Sequence, residues 1–224
     1  MPSATLELCP TPIVKDDELG RLCASMSQGL HAMAQPLTIL RSAVAALTAP
    51  GVTAVDRKRY LELSIQHVER TCGLFECMQE LVIASQIQAD CEPVDLSEVL
   101  AEVVEDQKAA LETSGVALRI DTPTGLPPVQ GEMARTLQAL TAALKIAASV
   151  SSPGGLVELL VTVRNGFVEL ILQTRRVHGR LLNSAERLSL ALAEANIRSQ
   201  QGKYDCVEDP LRVFIALPLQ DGLP

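Results

Sequence analysis

Two long stretches of the chain carry apolar residues at alternating spacings of four and three, which place a single apolar stripe along a helix. The first stretch begins at Asp16, and Pro50-Gly51 ends it; its stripe is Met26, Leu30, Met33, Leu37, Leu40, Val44 and Leu47. The second begins near Val55, and its stripe is Leu61, Ile65, Val68, Cys72 and Phe75. A short turn between two such helices predicts an antiparallel hairpin. Because one hairpin leaves part of its apolar surface uncovered, we expect it to pair with a second copy into a four-helix bundle.

The remainder of the chain predicts a mixed α/β domain after a linker at residues 89–93. Asp95 is a plausible N-cap of a helix that reaches Thr113, and further helices are expected at 132–149 and 184–200. Strands are expected at 116–120, 156–163, 167–174 and 211–217, and Asn165-Gly166 is typical of a type I′ hairpin turn. The fold class is therefore α+β: a flexible arm at 1–15, a helical hairpin at 16–88 and an α/β sandwich with helices on one face of its sheet at 93–220.

Composition narrows the functions that this fold can have. The formal net charge of −8 argues against a nucleic-acid-binding surface, which needs clustered Lys and Arg. No apolar run approaches the roughly 20 residues of a membrane span, and the N-terminus lacks the basic start of a signal peptide. We therefore expect a cytoplasmic protein that does not contact membranes. The six cysteines form no CxxC pair, so we expect no zinc site.

Chemistry is concentrated in the segment His31-Ala32-Met33-Ala34-Gln35-Pro36-Leu37. A proline inside a helix destabilises that helix by roughly 3 kcal/mol, so the presence of Pro36 within the stripe indicates a specific role. His31 follows Leu30 of the stripe and lies about 100° around the helix from it, so we expect it to be exposed to solvent. A neutral imidazole there is a competent nucleophile toward phosphorus, although a lone exposed histidine is ordinarily a surface residue.

This segment resembles the H box of sensor histidine kinases in its variant His-Glu-Leu-Asn-Gln-Pro-Leu, which His31, Gln35, Pro36 and Leu37 match. Residues 92–100 resemble the entry into the ATPase domain of that family, and residues 121–128 resemble the loop before its N-box helix. The resemblance implies a dimeric hairpin, a phosphoacceptor at His31, and an ATPase-type α/β domain.

The sequence departs from the kinase pattern wherever ATP chemistry is done. Ala32 replaces the acidic residue after the histidine, and the alignment puts Ala139 and Ala143 at the N-box asparagines, where Mg²⁺ needs oxygen donors. Residues 174–179 lack the Asp-x-Gly-x-Gly loop, and residues 188–193 lack the later glycines. The resemblance therefore implies that the nucleotide site is lost, with no cofactor or metal held by the chain.

The hypothesis that follows is a histidine phosphotransferase of a bacterial phosphorelay, which passes a phosphoryl group between receiver-domain aspartates through His31. The response-regulator receiver domain would supply the Mg²⁺. The alternatives are a pseudokinase scaffold that only binds a receiver or a kinase, a phosphatase in which Gln35 orients water, and a kinase with a divergent nucleotide site. We expect His67 to be solvated on the outer side of the second helix. We also expect His178, Arg175, Arg176 and Arg180 to form a solvated basic loop, with binding of an anion or a partner as the alternative.

Overall fold

The computed structural model describes residues 16–175 and 181–220. Helix α1 (Asp16–Leu47) and helix α2 (Ala54–Gln86) form the N-terminal hairpin. Thr53 caps α2, because its hydroxyl oxygen accepts a hydrogen bond from the backbone N–H of Asp56 at 3.1 Å. The Asp56 carboxylate also stabilises the helix, since it lies at the positive end of the helix dipole. The predicted arm at 1–15 lies outside the described residues.

The hairpin is packed through a stripe that differs from the predicted one. On α1 the buried residues are the small ones, Gly29, Pro36 and Ala43. Half-buried residues flank them: Met26, Met33, Leu40 and Leu47. The other residues of the predicted stripe are exposed: Leu30, Leu37 and Val44. These three were predicted to lie on the seam of a bundle formed by two copies, so that a second copy covers them stays a prediction. Within one chain, the close packing of the two helices uses small side chains instead.

Helix α2 shows the same shift of face. The buried residues near its C-terminal end are Leu74, Met78, Leu81 and Ala84. The predicted stripe of Leu61, Ile65, Val68, Cys72 and Phe75 is exposed along its whole length. Each helix of the hairpin therefore has two apolar faces, one covered within the chain and one open.

The second part of the chain is an α/β sandwich. Its helices are α3 (Leu96–Ser114), α4 (Met133–Val150) and α5 (Ser184–Arg198). Its strands are β1 (Glu92–Val94), β2 (Ala117–Asp121), β3 (Val129–Gly131), β4 (Leu156–Arg164), β5 (Phe167–Thr174), β6 (Lys203–Glu208) and β7 (Leu211–Pro218). The main sheet has the order β2-β4-β5-β7-β6, in which β2 and β4 are parallel and the other neighbours antiparallel. Strands β1 and β3 pair separately, and the mixed sheet confirms the predicted fold class.

Three strands were not predicted. Strands β1 and β3 are three residues each, too short to show a period of two. Strand β6 lies at the edge of the sheet and carries Lys203, Asp205 and Glu208, charges that edge strands use to avoid further pairing. Such charges hide the strand from a search for apolar alternation.

Helix α5 joins the two parts of the molecule. Asn183 caps it in a reciprocal box with Glu186. Leu190, Ala193 and Ile197 belong to the core of the sandwich, whereas Leu188 and Leu192 belong to a second cluster with α2. Since one helix contributes to both clusters, the hairpin and the sandwich pack directly on each other.

Candidate functional site

His31 lies in the first half of α1, one turn before Pro36, and its side chain is exposed. Pro36 has no N–H, so the carbonyl of Ala32 lacks its helical donor. Ala32 is half-buried against the cluster that joins α1, α2 and α5. The imidazole is therefore open to an approaching surface while the helix behind it is packed.

The part of α1 on either side of His31 carries no Asp, Glu, Lys or Arg. Gln35 follows one turn later on the same face and is exposed, and the Thr38 hydroxyl donates to the carbonyl of Ala34 at 2.8 Å. This part runs from Leu22 to Leu40, between Arg21 and Arg41. A phosphorylated group that approaches His31 therefore meets no carboxylate on this stretch of α1.

His67 is not the solvated residue that we expected. It is half-buried on α2, and its Nδ1 atom is buried without a hydrogen-bond partner in the described part of the chain. Its position, seven residues before buried Leu74, puts it on the covered side of the helix. The predicted outward orientation was wrong because the predicted stripe was the open face of α2.

A cleft of about 970 Å³ lies between α2, α4 and α5. Acidic side chains outnumber basic ones along its walls: Glu76, Glu80, Asp106, Glu132 and Glu186 face Arg70, Arg135 and Lys145. Cys77 also lines the cleft; burial, and then the Glu80 carboxylate, raise the pKa of its thiol to about 11. The side chains that line the cleft therefore carry a formal excess of negative charge, which is unfavourable for an anionic ligand.

The wall formed by α4 differs from the alignment in register. Ala139 and Ala143 are buried in the core of the sandwich, 0% and 1% exposed. The residues of α4 that face the cleft include Gln138, Ala142 and Lys145. Assigning Ala139 and Ala143 to the nucleotide wall was therefore wrong, although α4 still contains no asparagine.

Gln138 has the only side-chain amide on α4, and both ends of that amide are engaged. Its nitrogen donates to a carboxylate oxygen of Glu80 at 2.5 Å. Its oxygen accepts from the side-chain nitrogen of Asn196 at 2.6 Å. The chain Glu80–Gln138–Asn196, which we call the polar relay, links α2, α4 and α5. No sequence pattern predicts the polar relay, because each of its two hydrogen bonds joins residues that are 58 positions apart.

The region expected to hold the adenine loop begins at the end of β5. The Thr174 side chain is buried, and its hydroxyl donates to the carbonyl of Leu211 at 3.4 Å. Arg175 donates to Glu158 at 2.6 Å, and this hydrogen bond holds the pKa of the Glu158 carboxyl below its usual value. The other members of the predicted basic loop, Arg176, His178 and Arg180, lie outside the described residues.

Two further predictions concern metal ions and membranes. Within residues 16–175 and 181–220, no group of three or more His, Cys, Asp or Glu side chains is placed to hold a metal ion. Among the helices in those ranges, none is long and apolar enough to cross a membrane.

The fold is that of a family with many solved structures. No known family model matches the sequence, and no curated protein matches it. The histidine kinase AdeS of Acinetobacter baumannii superposes with a TM-score of 0.67 at 20% identity, covering 85% of this chain and 98% of AdeS. The histidine kinase ThkA, solved in complex with the response regulator protein TrrA, gives 0.69 at 15% identity over 91% of this chain and 64% of ThkA. Full-length ShkA, in complex with AMPPNP, gives 0.58 at 15% identity over 90% of this chain and 46% of ShkA.

These likenesses extend across both the hairpin and the sandwich. The chain has the scaffold of a sensor histidine kinase core, a helical hairpin followed by an ATPase-like α/β domain. The predicted resemblance is confirmed at the level of the fold.

Proposed function

We propose that the protein is a histidine phosphotransferase of a two-component phosphorelay, with His31 as the residue that carries the phosphoryl group. The observation that supports this most directly is the placement of His31: exposed, one turn before Pro36, on the first helix of a histidine kinase scaffold. Gln35 lies beside it and can orient the phosphoryl group.

The transfer uses few groups of this chain. A neutral imidazole nitrogen of His31 attacks the phosphorus of an aspartyl phosphate on a receiver domain. A nitrogen–phosphorus bond forms, the carboxylate–phosphorus bond breaks, and the imidazole loses its remaining proton to solvent. A second receiver reverses the sequence. Phosphoryl transfer depends mainly on positioning and charge stabilisation, and the receiver's Mg²⁺ supplies the latter.

A protein of this kind needs no nucleotide, and the cleft supports this part of the proposal. Carboxylates outnumber basic groups around it, and the single side-chain amide of α4 is already engaged in the polar relay. A nucleotide polyphosphate is stabilised by positively charged groups, and the cleft has three of these against five carboxylates. We therefore propose that the protein transfers a phosphoryl group without binding ATP.

The proposal includes a homodimer formed by the hairpin. Exposed apolar side chains follow a heptad line on α1 and a stripe on α2: Leu30, Leu37 and Val44, and Leu61, Ile65, Val68 and Phe75. An apolar surface of this length is typical of an interface. Pairing two hairpins along these faces makes a four-helix bundle, with His31 next to the paired face.

A response-regulator receiver domain is the proposed partner. The crystal structure of ThkA, a neighbour in fold, holds a response regulator protein. The part of α1 around His31 has no carboxylate of its own that would repel a phosphorylated partner.

One observation favours a second function, a scaffold that binds a receiver or a kinase without transfer. Ala32 provides no carboxylate beside His31 to assist loss of its proton. In that case His31 would be part of the binding surface and would not accept a phosphoryl group.

Radiolabelled transfer separates these functions. The protein is mixed with phosphorylated receivers from the same genome, and the expected result is an acid-labile, base-stable label on the chain. His31→Ala should abolish the label and leave receiver affinity largely unchanged, because one side chain is a small part of an interface. His67→Ala and His178→Ala are the matched controls and should be labelled normally.

Other outcomes identify the alternatives. Binding without label across every receiver of the genome would contradict the phosphotransferase and support the scaffold. Loss of phosphate from the receiver to water, abolished by Gln35→Ala, would instead support a phosphatase.

A further inference from the structure

The polar relay connects three helices from the two parts of the molecule. Gln138 on α4 donates to Glu80 on α2 at 2.5 Å, and Asn196 on α5 donates to Gln138 at 2.6 Å. An ionised carboxylate only accepts hydrogen bonds, so the nitrogen of the Gln138 amide must face Glu80 and its oxygen must face Asn196. This is the only orientation of the Gln138 amide that makes a hydrogen bond with both Glu80 and Asn196.

An apolar contact supports the relay on the side of α1. A Cβ built at Gly29 would lie 2.7 Å from the Met78 sulfur and 3.3 Å from a methyl group of Leu188. The backbone of α1 therefore touches α2 and α5 at one point. That point is two residues before His31, so α5 supports the segment of α1 that presents the imidazole.

A third set of contacts holds the linker. The Arg135 guanidinium donates to the carbonyl of Ile87 at 3.1 Å and to the hydroxyl of Ser199 at 2.8 Å. Its Nε pairs with Glu132 at 2.9 Å, and its side chain is only 16% exposed. The backbone N–H of Ala89 also donates to the carbonyl of Ser199 at 3.1 Å. The segment between the hairpin and the sandwich is therefore bound to both α4 and the end of α5.

We propose that the α/β sandwich is a fixed brace on the His31 helix, and that Gln138 is the positioning residue that holds it there. The brace consists of the polar relay, the Gly29–Leu188 contact and the Arg135 contacts. This inference goes beyond phosphotransfer, because it concerns the arrangement of the two parts of the molecule whatever His31 does. It gives the ATPase-like domain a mechanical role in a chain for which we propose no ATP binding.

Charge swapping tests the relay in the full-length protein. Gln138→Glu places a second carboxylate against Glu80, so the two repel and the contact opens. Adding Glu80→Gln restores both hydrogen bonds: the new amide at position 80 donates to the carboxylate at 138, and Asn196 still donates to that carboxylate. Gln138→Met removes both hydrogen bonds without adding charge.

Hydrogen exchange of backbone amides, followed by mass spectrometry, measures the opening. For Gln138→Glu we expect exchange about tenfold faster in residues 74–86 and in α5, since local opening sets exchange there, with β4 and β5 unchanged. The double variant should return to the wild-type rate. Gln66→Glu, the same change at an exposed position of α2, is the matched control and should exchange like the wild type.

Two results would overturn the proposal. One is wild-type exchange in Gln138→Met, which would show that the two hydrogen bonds of the relay hold nothing. The other is a double variant that exchanges as fast as Gln138→Glu, which would show that the pairing with Glu80 is not what Gln138 provides. Neither depends on the labelling of His31, so failure of the brace and failure of the phosphotransferase are distinguished.

Discussion

Replacing Gly29 with alanine tests the close approach of α1 to α2 and α5. Gly29 lies on the buried line of α1, where a Cβ would meet the Met78 sulfur at 2.7 Å and the Met78 Cγ at 2.8 Å. Real Cβ atoms do not approach other atoms so closely, so either Met78 changes rotamer or the helices separate. Both responses weaken the packing of the hairpin, which opposes the gain in helix propensity that alanine brings.

The magnitude follows from two opposing effects. Alanine is favoured over glycine inside a helix by about 1 kcal/mol. Overpacking a well-packed contact costs about 1–3 kcal/mol. Gly29→Ala should therefore leave the free energy of unfolding unchanged or lower it by about 2 kcal/mol. At Gly73, within α2, a Cβ would meet nothing within 4 Å, so Gly73→Ala should raise the free energy of unfolding by about 1 kcal/mol.

Urea unfolding, followed by circular dichroism at one fixed protein concentration, measures both variants. Both variants gain the same helix propensity, so the expected difference of about 1–3 kcal/mol between their free energies of unfolding reports the packing contact alone. Met78→Ala removes the obstructing side chain, so Gly29→Ala should cost less in that background. If Gly29→Ala stabilises the protein as much as Gly73→Ala does, the close packing of α1 on α2 and α5 is refuted.

Three further predictions concern the dimer, the nucleotide and the thiols. Leu37→Glu should convert a dimer of twice the 24.0 kDa chain mass into a monomer in light scattering, because a charge on the paired face is expensive; a monomeric wild type would contradict the bundle. Leu40 is a poorer position, since it is half-buried within the hairpin. Calorimetric titration with Mg²⁺ and ATP should give no binding heat at millimolar nucleotide, and micromolar affinity would sink the proposal of ATP-independent transfer. At pH 8, a thiol whose pKa is about 11 stays protonated, so Cys77 should be alkylated more slowly than exposed Cys72; equal rates would contradict the burial of Cys77.

The elements with a strong local signal were predictable from the sequence. The type I′ turn is confirmed, with positive φ at both central residues: 52° at Asn165 and 78° at Gly166. Asp95 caps α3 as expected, since its carboxylate accepts from the N–H of Ser97 at 2.8 Å. Each of these signals is local, because the residue that determines the conformation lies within a few positions of the backbone that adopts it.

What could not be predicted depends on packing between distant segments. The sequence shows one stripe of large apolar side chains on each hairpin helix, and only the fold identifies the other face, which the chain covers. Small residues such as Gly29 and Ala43 are covered because they let the helix backbones approach. The same limit applies to Gln138, whose partners on α2 and α5 are identified only when three helices are placed together.

The proposed loss of the nucleotide site and the docking of α5 have a common physical origin. A glycine-rich turn binds phosphate through backbone N–H groups that no helix occupies. In this chain the residues aligned with that turn, 188–193, form part of a continuous helix, so their N–H groups are used within it. The side chains there are also apolar, and Leu188 and Leu192 bury themselves against the hairpin. The residues aligned with a phosphate-binding turn therefore form the surface that packs the sandwich against the hairpin. Residues 188–193 cannot both bind phosphate and pack on the hairpin. Phosphate binding requires free backbone N–H groups, whereas the packing requires a continuous helix.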